Sequence, residues 1–195
     1  MDRENLTQEE SMEVIRQMIS MSRRKFGESG FHFLLWGILV IAAALVQYFL
    51  IMQGFGPESN WVWVAMPIIG VPIAVVYEMR RQRREQVKTK FDNIYATLWQ
   101  GFGIALLLII PVSLLMRVNP IPFLLILIGL ATFVSGAIVR FVPLKVGAVV
   151  FWITAVLSLW LKDADLLLAY SAAVFLGYVV PGLMLRKRFK AESGV

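Results

Sequence analysis

The sequence contains no cysteine and only one histidine among its 195 residues. The lack of cysteine excludes disulfide bonds, cysteine-ligated zinc, iron–sulfur clusters and thiol catalysis. His32 lies at the start of an apolar run with Glu28 as the nearby acid, and no metal-binding motif surrounds it. One imidazole does not complete a metal site, so we expect no metal and no cofactor. We interpret His32 as an anchor at a membrane interface.

Charged residues are also scarce. They make up 16% of the chain and apolar residues 58%, whereas soluble domains have about 25% and about 45–50%. The apolar residues form uncharged runs of 16 to 22 residues, and roughly 20 are needed for a helix to cross a bilayer. Barrel strands would instead alternate in segments of about ten residues. The sequence therefore predicts an all-α, polytopic membrane protein.

Six of these runs are predicted to form a transmembrane bundle over residues 31–185, between an N-terminal segment at 1–30 and a basic tail at 186–195. Three connections have only three to seven residues, so the spans are expected to pair as three antiparallel hairpins. The predicted spans are Phe31–Met52, Trp61–Tyr77, Tyr95–Met116, Pro120–Val139, Val146–Leu161 and Leu166–Leu185.

The basic residues are concentrated on one side of this arrangement. Five lie in the N-terminal segment, six in connection 78–94, two in connection 140–145 and four in the tail, which is 17 of the 19. Only Arg117 and Lys162 lie on the other side. The basic side faces the cytoplasm, so we predict a multi-pass protein of the bacterial cytoplasmic (inner) membrane with both termini inside. The N-terminal segment is polar, and we expect no cleaved signal peptide.

The N-terminal segment is predicted to form an amphipathic cytoplasmic helix of about 18 residues. Thr7 and Glu10 match a capping box at its start. Acidic residues in its first half disfavour an anionic membrane surface, and methionine-rich faces adapt to varied protein partners. Docking on the basic loops of the bundle is the competing interpretation. The predicted partner-binding face comprises Met12, Ile15, Met18 and Ile19.

No Asp, Glu, Lys or Arg falls inside a predicted span. Buried charges are the usual mark of ion pathways, so their lack argues against a proton-coupled pump, and the missing catalytic motifs argue against an enzyme. Gln100 lies about two turns into the third span and is the candidate for a solute pathway. The alternative role for such polar groups, Gln47 included, is hydrogen bonding between helices. The prolines expected to kink spans are Pro67, Pro72, Pro111 and Pro181.

The densest run of charge follows the second span. Its arginines can bind anionic lipid headgroups, with roughly 1 kcal/mol from each basic residue, or can serve only to fix the topology. We expect membrane lipid rather than nucleic acid as their partner. The residues are Arg80, Arg81, Arg83 and Arg84.

Several segments resemble an uncharacterised family of small six-span membrane proteins from bacteria of the Bacteroidota type. The resemblance lies in Glu9-Glu10-Ser11 before Ile15–Ile19, in Phe33-Leu34-Leu35-Trp36-Gly37, in Pro181-Gly182 and in the basic tail from Arg186. It implies the six-span topology and no activity. The length and span number also resemble the substrate-binding subunits of energy-coupling-factor vitamin transporters.

The sequence is therefore compatible with two functions. The first is a non-enzymatic membrane protein that acts through partners, as an accessory subunit or a membrane-side sensor or regulator. The second is a small-solute transporter or a substrate-binding transporter subunit. A homo-oligomer is compatible with either.

Overall fold

The computed structural model of the protein describes residues 30–82 and 90–193. All regular structure in these ranges is helical, so the all-α prediction is confirmed for them. In chain order the elements are α1 Gly30–Met52, a 3-10 turn Pro57–Asn60, α2 Trp61–Gln82, α3 Lys90–Leu115, α4 Ile121–Ile138, α5 Val142–Leu157, α6 Asp163–Val174, a π-helical turn Phe175–Val179 and α7 Val180–Ser193.

Five helical stretches have the length and composition to cross a membrane, which agrees with a multi-pass membrane protein. The α5 helix is apolar but has only 16 residues, and its role as a sixth span stays a prediction. The five stretches are Gly30–Met52, Pro57–Arg81, Asn93–Leu115, Ile121–Ile138 and Ala164–Arg188.

Several helices extend beyond the predicted apolar spans. The α2 helix continues to Gln82, α3 begins at Lys90, and α7 runs through most of the basic tail to Ser193. Lys, Arg, Glu and Gln end an apolar run but favour helix formation, so the helices extend past the ends of the apolar spans. The α5 helix begins at Val142 rather than Val146, because Pro143 suits the first helical turn, where its missing N–H is not needed.

Four helices form the centre of the molecule. They are α1, α4, α5 and the C-terminal helix, the name used here for α6, the π-helical turn and α7 together. The α4 and α5 helices share the most extensive contact, and the C-terminal helix packs against both α1 and α5. The remaining two, here called the outer helices, are peripheral: α2 lies against α1, and α3 lies mainly against α4.

A close backbone approach in the centre joins α5 to the C-terminal helix. Pro181 has no N–H, so the carbonyl of Gly177 cannot accept the usual bond from four residues later, and the chain forms the π-helical turn here. A Cβ on Gly147 of α5 would lie only 2.6 Å from that carbonyl oxygen. Glycine at 147 is therefore required by the packing. Pro181, predicted to kink its span, lies directly after this irregular turn.

Candidate functional site

The basic ends of α1 and α2 are joined by an aromatic and charged cluster. Phe31 stacks on Tyr77 with 3.9 Å between ring centroids, and His32 meets the same ring edge-on at 5.6 Å. The Glu78 carboxylate lies 3.8 Å from His32 Nε2 and 3.7 Å from Arg81 Nη1. These distances are long for hydrogen bonds and the groups are partly exposed, so the pairs contribute at most about 1 kcal/mol. The role of His32 as an interfacial anchor stays a prediction.

A groove of about 400 Å³ opens beside this cluster along α2. Its aliphatic residues precede Arg80 by one to two helical turns, so they share one face of the helix with the arginine. The lining of the groove is thus apolar along the helix axis, and its one described cationic residue, Arg80, lies at one end. Its lining residues are Phe31, Pro72, Ile73, Val76, Tyr77 and Arg80.

Three side chains carry buried polar atoms inside the bundle and are together called the inner polar cluster here: Trp99, Ser135 and Tyr178. The Trp99 and Tyr178 rings flank Phe33, with centroids 6.2 and 5.2 Å from its ring. Ser135 lies one turn after Thr132 on the buried face of α4, and the Thr132 hydroxyl lies near that of Tyr178.

The three polar atoms of the inner polar cluster make no well-formed hydrogen bond within the described part of the chain, although the Thr132 hydroxyl lies beside that of Tyr178. The three atoms are Trp99 Nε1, Ser135 Oγ and Tyr178 Oη. The Thr132 hydroxyl donates instead to the carbonyl of Ile128 at 2.6 Å. A buried polar group without a partner costs about 1–3 kcal/mol. Each of these atoms is therefore available to an uncharged group that reaches it.

Most other hydroxyls within the helices bond to their own backbone. Thr154 donates to Val150 O at 2.9 Å, and Ser171 donates to Leu167 O at 2.8 Å. Ser158 likewise donates to Ala155 O at 2.6 Å. Such bonds satisfy the hydroxyl one turn back along the same helix, so these groups do not line a polar route between helices.

The amide of Gln47 ties α1 to the start of α2 at the opposite end. Its Nε2 donates to Asn60 Oδ1 at 2.7 Å and to Ser59 Oγ at 3.4 Å, while its Oε1 accepts from Trp63 Nε1. Gln47 and Ser59 are buried. The sequence alone does not separate Gln47 from Gln100, since both are amides in apolar runs. The difference comes from Asn60 and Trp63, which the fold places opposite Gln47 across a short turn.

The structure places the predicted site residues in different surroundings. Gln100 lies at an exposed position of α3 and is not part of the inner polar cluster, so its role in a solute pathway stays a prediction. Arg80 and Arg81 lie in the last turn of α2. The other predicted residues fall outside the described ranges: Arg83, Arg84, Met12, Ile15, Met18 and Ile19.

No three His, Asp or Glu side chains come together as metal ligands within residues 30–82 and 90–193. Comparisons with protein-family models, curated proteins and solved structures found no match. Any functional assignment therefore depends on the residues of the chain itself.

Proposed function

We propose that the protein is a non-enzymatic protein of the cytoplasmic membrane that acts through partners, as an accessory subunit or a membrane-side sensor. The observation that carries this proposal is the unequal burial of its helices. Only 6% of the apolar window in each outer helix is buried, against 33% for α1, 39% for α4 and 61% for the C-terminal helix. Few residues of the outer helices are fully covered by the rest of the described chain, so much of their surface is left for lipid or for another protein.

The glycines of α3 favour a protein on that surface. A side chain added at Gly101 or Gly103 would meet no atom within 4 Å. Glycine inside a helix costs about 1 kcal/mol relative to alanine, and small residues allow close approach of another membrane helix. No contact within the described chain uses this space. We therefore assign the partner contact to the face of α3 with Gly103 and Leu107, the latter 70% exposed.

The proposal includes six spans arranged as three hairpins, with α5 as the fifth span. Sixteen residues rise about 24 Å, somewhat less than a bilayer core of about 30 Å. Lys145 near the start of α5 lies 5.8 Å from the Phe133 ring, which lets its ammonium reach the interface while its stem stays apolar. The α5 helix also packs on two membrane helices, at Gly129 with Trp152 and at Gly147 with Gly177.

Both termini are proposed to be cytoplasmic. Contacts between Phe31 and Tyr77 and between Gly30 and Gly182 bring the start of α1 to the end of α2 and to α7. That end of the bundle carries most of the described cations, which supports a cytoplasmic location by the positive-inside rule. These cations are Arg80, Arg81, Arg140, Lys145, Arg186, Lys187 and Arg188.

The alternative is a small-solute transporter or a substrate-binding transporter subunit. The inner polar cluster favours it, because unpartnered donors inside a bundle can bind an uncharged solute. The hydroxyls bonded to their own helices favour the partner role instead, since they leave few groups to line a path. The predicted N-terminal helix would add a second partner contact on the cytoplasmic side. Together with the six-span topology, we propose the likeness to the small six-span family.

Cross-linking in living cells tests the partner contact. A photoreactive amino acid at Leu107 on α3 should give a protein adduct. The matched control at Val149, which is 44% exposed on α5, should give only lipid adducts. Gly103→Leu should abolish the Leu107 adduct without disturbing the fold, because no atom lies near that position.

The outcome separates the two functions. Loss of the adduct in Gly103→Leu, with unchanged elution of the purified chain, supports the accessory role. Equal adducts at Leu107 and Val149 would contradict a specific partner. A small molecule that copurifies with the wild-type chain but not with Tyr178→Phe would favour the transporter.

A further inference from the structure

We propose that the groove on α2 is a binding site for one anionic phospholipid, with the phosphate at Arg80 and an acyl chain along Val76, Ile73 and Pro72. The site belongs to the leaflet at the basic end of the bundle. It does not depend on the partner contact of α3.

The order of residues along the groove matches the polarity of a phospholipid. Arg80 lies at the end of the groove, Val76 about one turn below it and Ile73 about two turns below it. This stretch rises about 10 Å along the helix axis. Headgroup and acyl chain therefore meet a cation and an aliphatic surface in the same order in which the lipid presents them.

One wall of the groove is fixed by α1. Phe31 and Tyr77 both line the groove and stack with an interplanar angle of 16°. Because the pair joins two helices, the wall does not depend on a single flexible side chain. This fixed wall distinguishes Arg80 from the exposed basic residues of α7.

The charges around the groove leave Arg80 available for an anion. Glu78 lies beside Arg81 and His32, so the only described acid near the groove is already next to two basic groups. Arg80 is exposed and has no carboxylate partner within residues 30–82 and 90–193. A guanidinium presents a planar fork of donors that suits phosphate oxygens. A zwitterionic headgroup also carries phosphate, but its ammonium would meet the positive field of the neighbouring arginines.

Native mass spectrometry of the full chain released from detergent tests the site with phosphatidylglycerol and phosphatidylcholine of equal chain length. The wild type should retain one phosphatidylglycerol in preference to phosphatidylcholine. Arg80→Gln should weaken phosphatidylglycerol retention about fivefold, the effect of one basic residue near a membrane surface. The matched control Arg186→Gln, an exposed arginine at the same end, should change it less than about twofold. Arg80→Lys should restore part of the retention.

A second variant tests the apolar part of the site. Val76→Trp fills the groove without a change of charge and should weaken retention of both lipids. Elution of each variant as a single species establishes that its fold is intact. Equal losses in Arg80→Gln and Arg186→Gln, or equal retention of the two lipids by the wild type, would overturn the proposal. Displacement of the lipid by inorganic phosphate would also overturn it, since the acyl chain would then contribute nothing.

Discussion

The four central helices and the two outer helices are all apolar but are held by different contacts. In the centre, glycines let backbones touch, as at Gly147 and Gly177. The outer helix α2 is attached by larger groups: Gln47 bonds at one end, the Phe31–Tyr77 stack lies at the other, and Trp36 fills the space over Gly70 between them. Since lipid is as apolar as leucine, hydrophobicity does not decide which helices are central. Close packing and hydrogen bonds decide it.

The largest expected effect concerns whether α5 belongs among the spanning helices. A topology reporter inserted at 54–60 should read external, and a reporter after Val195 should read cytoplasmic, as six spans require. If α5 did not cross the membrane, the two reporters would read the same side. A cytoplasmic reading at 54–60 would contradict the proposed orientation.

Gly147→Ala should disrupt the packing between α5 and the C-terminal helix. The added Cβ would lie 2.6 Å from Gly177 O and 2.9 Å from Gly177 Cα, and overpacking against backbone costs about 1–3 kcal/mol. Gly101→Ala is the matched control on α3, where helix propensity should make the change neutral or stabilising by up to about 1 kcal/mol. Thermal unfolding in detergent measures both. Equal midpoints for the two variants would mean that the distinction between centre and periphery is wrong.

Gln47→Leu should loosen α2 from α1. The change leaves Asn60 Oδ1 and Trp63 Nε1 without the partner they have in the structure, at an expected cost of about 1–2 kcal/mol. Gln100→Leu provides the comparison, because this exposed amide on α3 should contribute within about 0.5 kcal/mol. The same unfolding assay applies, with proteolysis at the turn before α2 as a local measure. A loss of solute binding in Gln100→Leu would instead support the transporter alternative.

The smallest expected effect is that of Tyr178→Phe. The hydroxyl is buried and makes no well-formed hydrogen bond, with only the Thr132 hydroxyl beside it, so its removal should leave the free energy of unfolding unchanged or raise it by up to about 1 kcal/mol. Tyr178→Ala is the contrast, since loss of the ring between Phe33 and Phe151 should cost about 3–5 kcal/mol. A marked loss of stability in Tyr178→Phe would reveal that the hydroxyl has a partner.

The sequence predicted the helical structure and the five helices that are long and apolar enough to cross a membrane, because a long uncharged apolar run has few other structures in a membrane. Span ends were less predictable: Gln82 and Ser193 remain helical although the charges before them end the apolar signal. The roles of Gln47 and Gln100 were not separable, since a helix that is apolar all round gives no periodicity to show which face is buried. The partner of an amide depends on neighbours that only the fold brings together, as Asn60 and Trp63 do for Gln47.

The order in which the central helices are synthesised along the chain has a consequence for the folding of the nascent protein. The C-terminal helix is the most buried and contacts both α1 and α5, yet the ribosome makes it after the other five helices. Gly37 and Gly147 lack their close contacts with Val179 and Gly177 until that helix is made. We therefore expect chains that stop before Gly177 to be degraded faster by membrane proteases than the full chain.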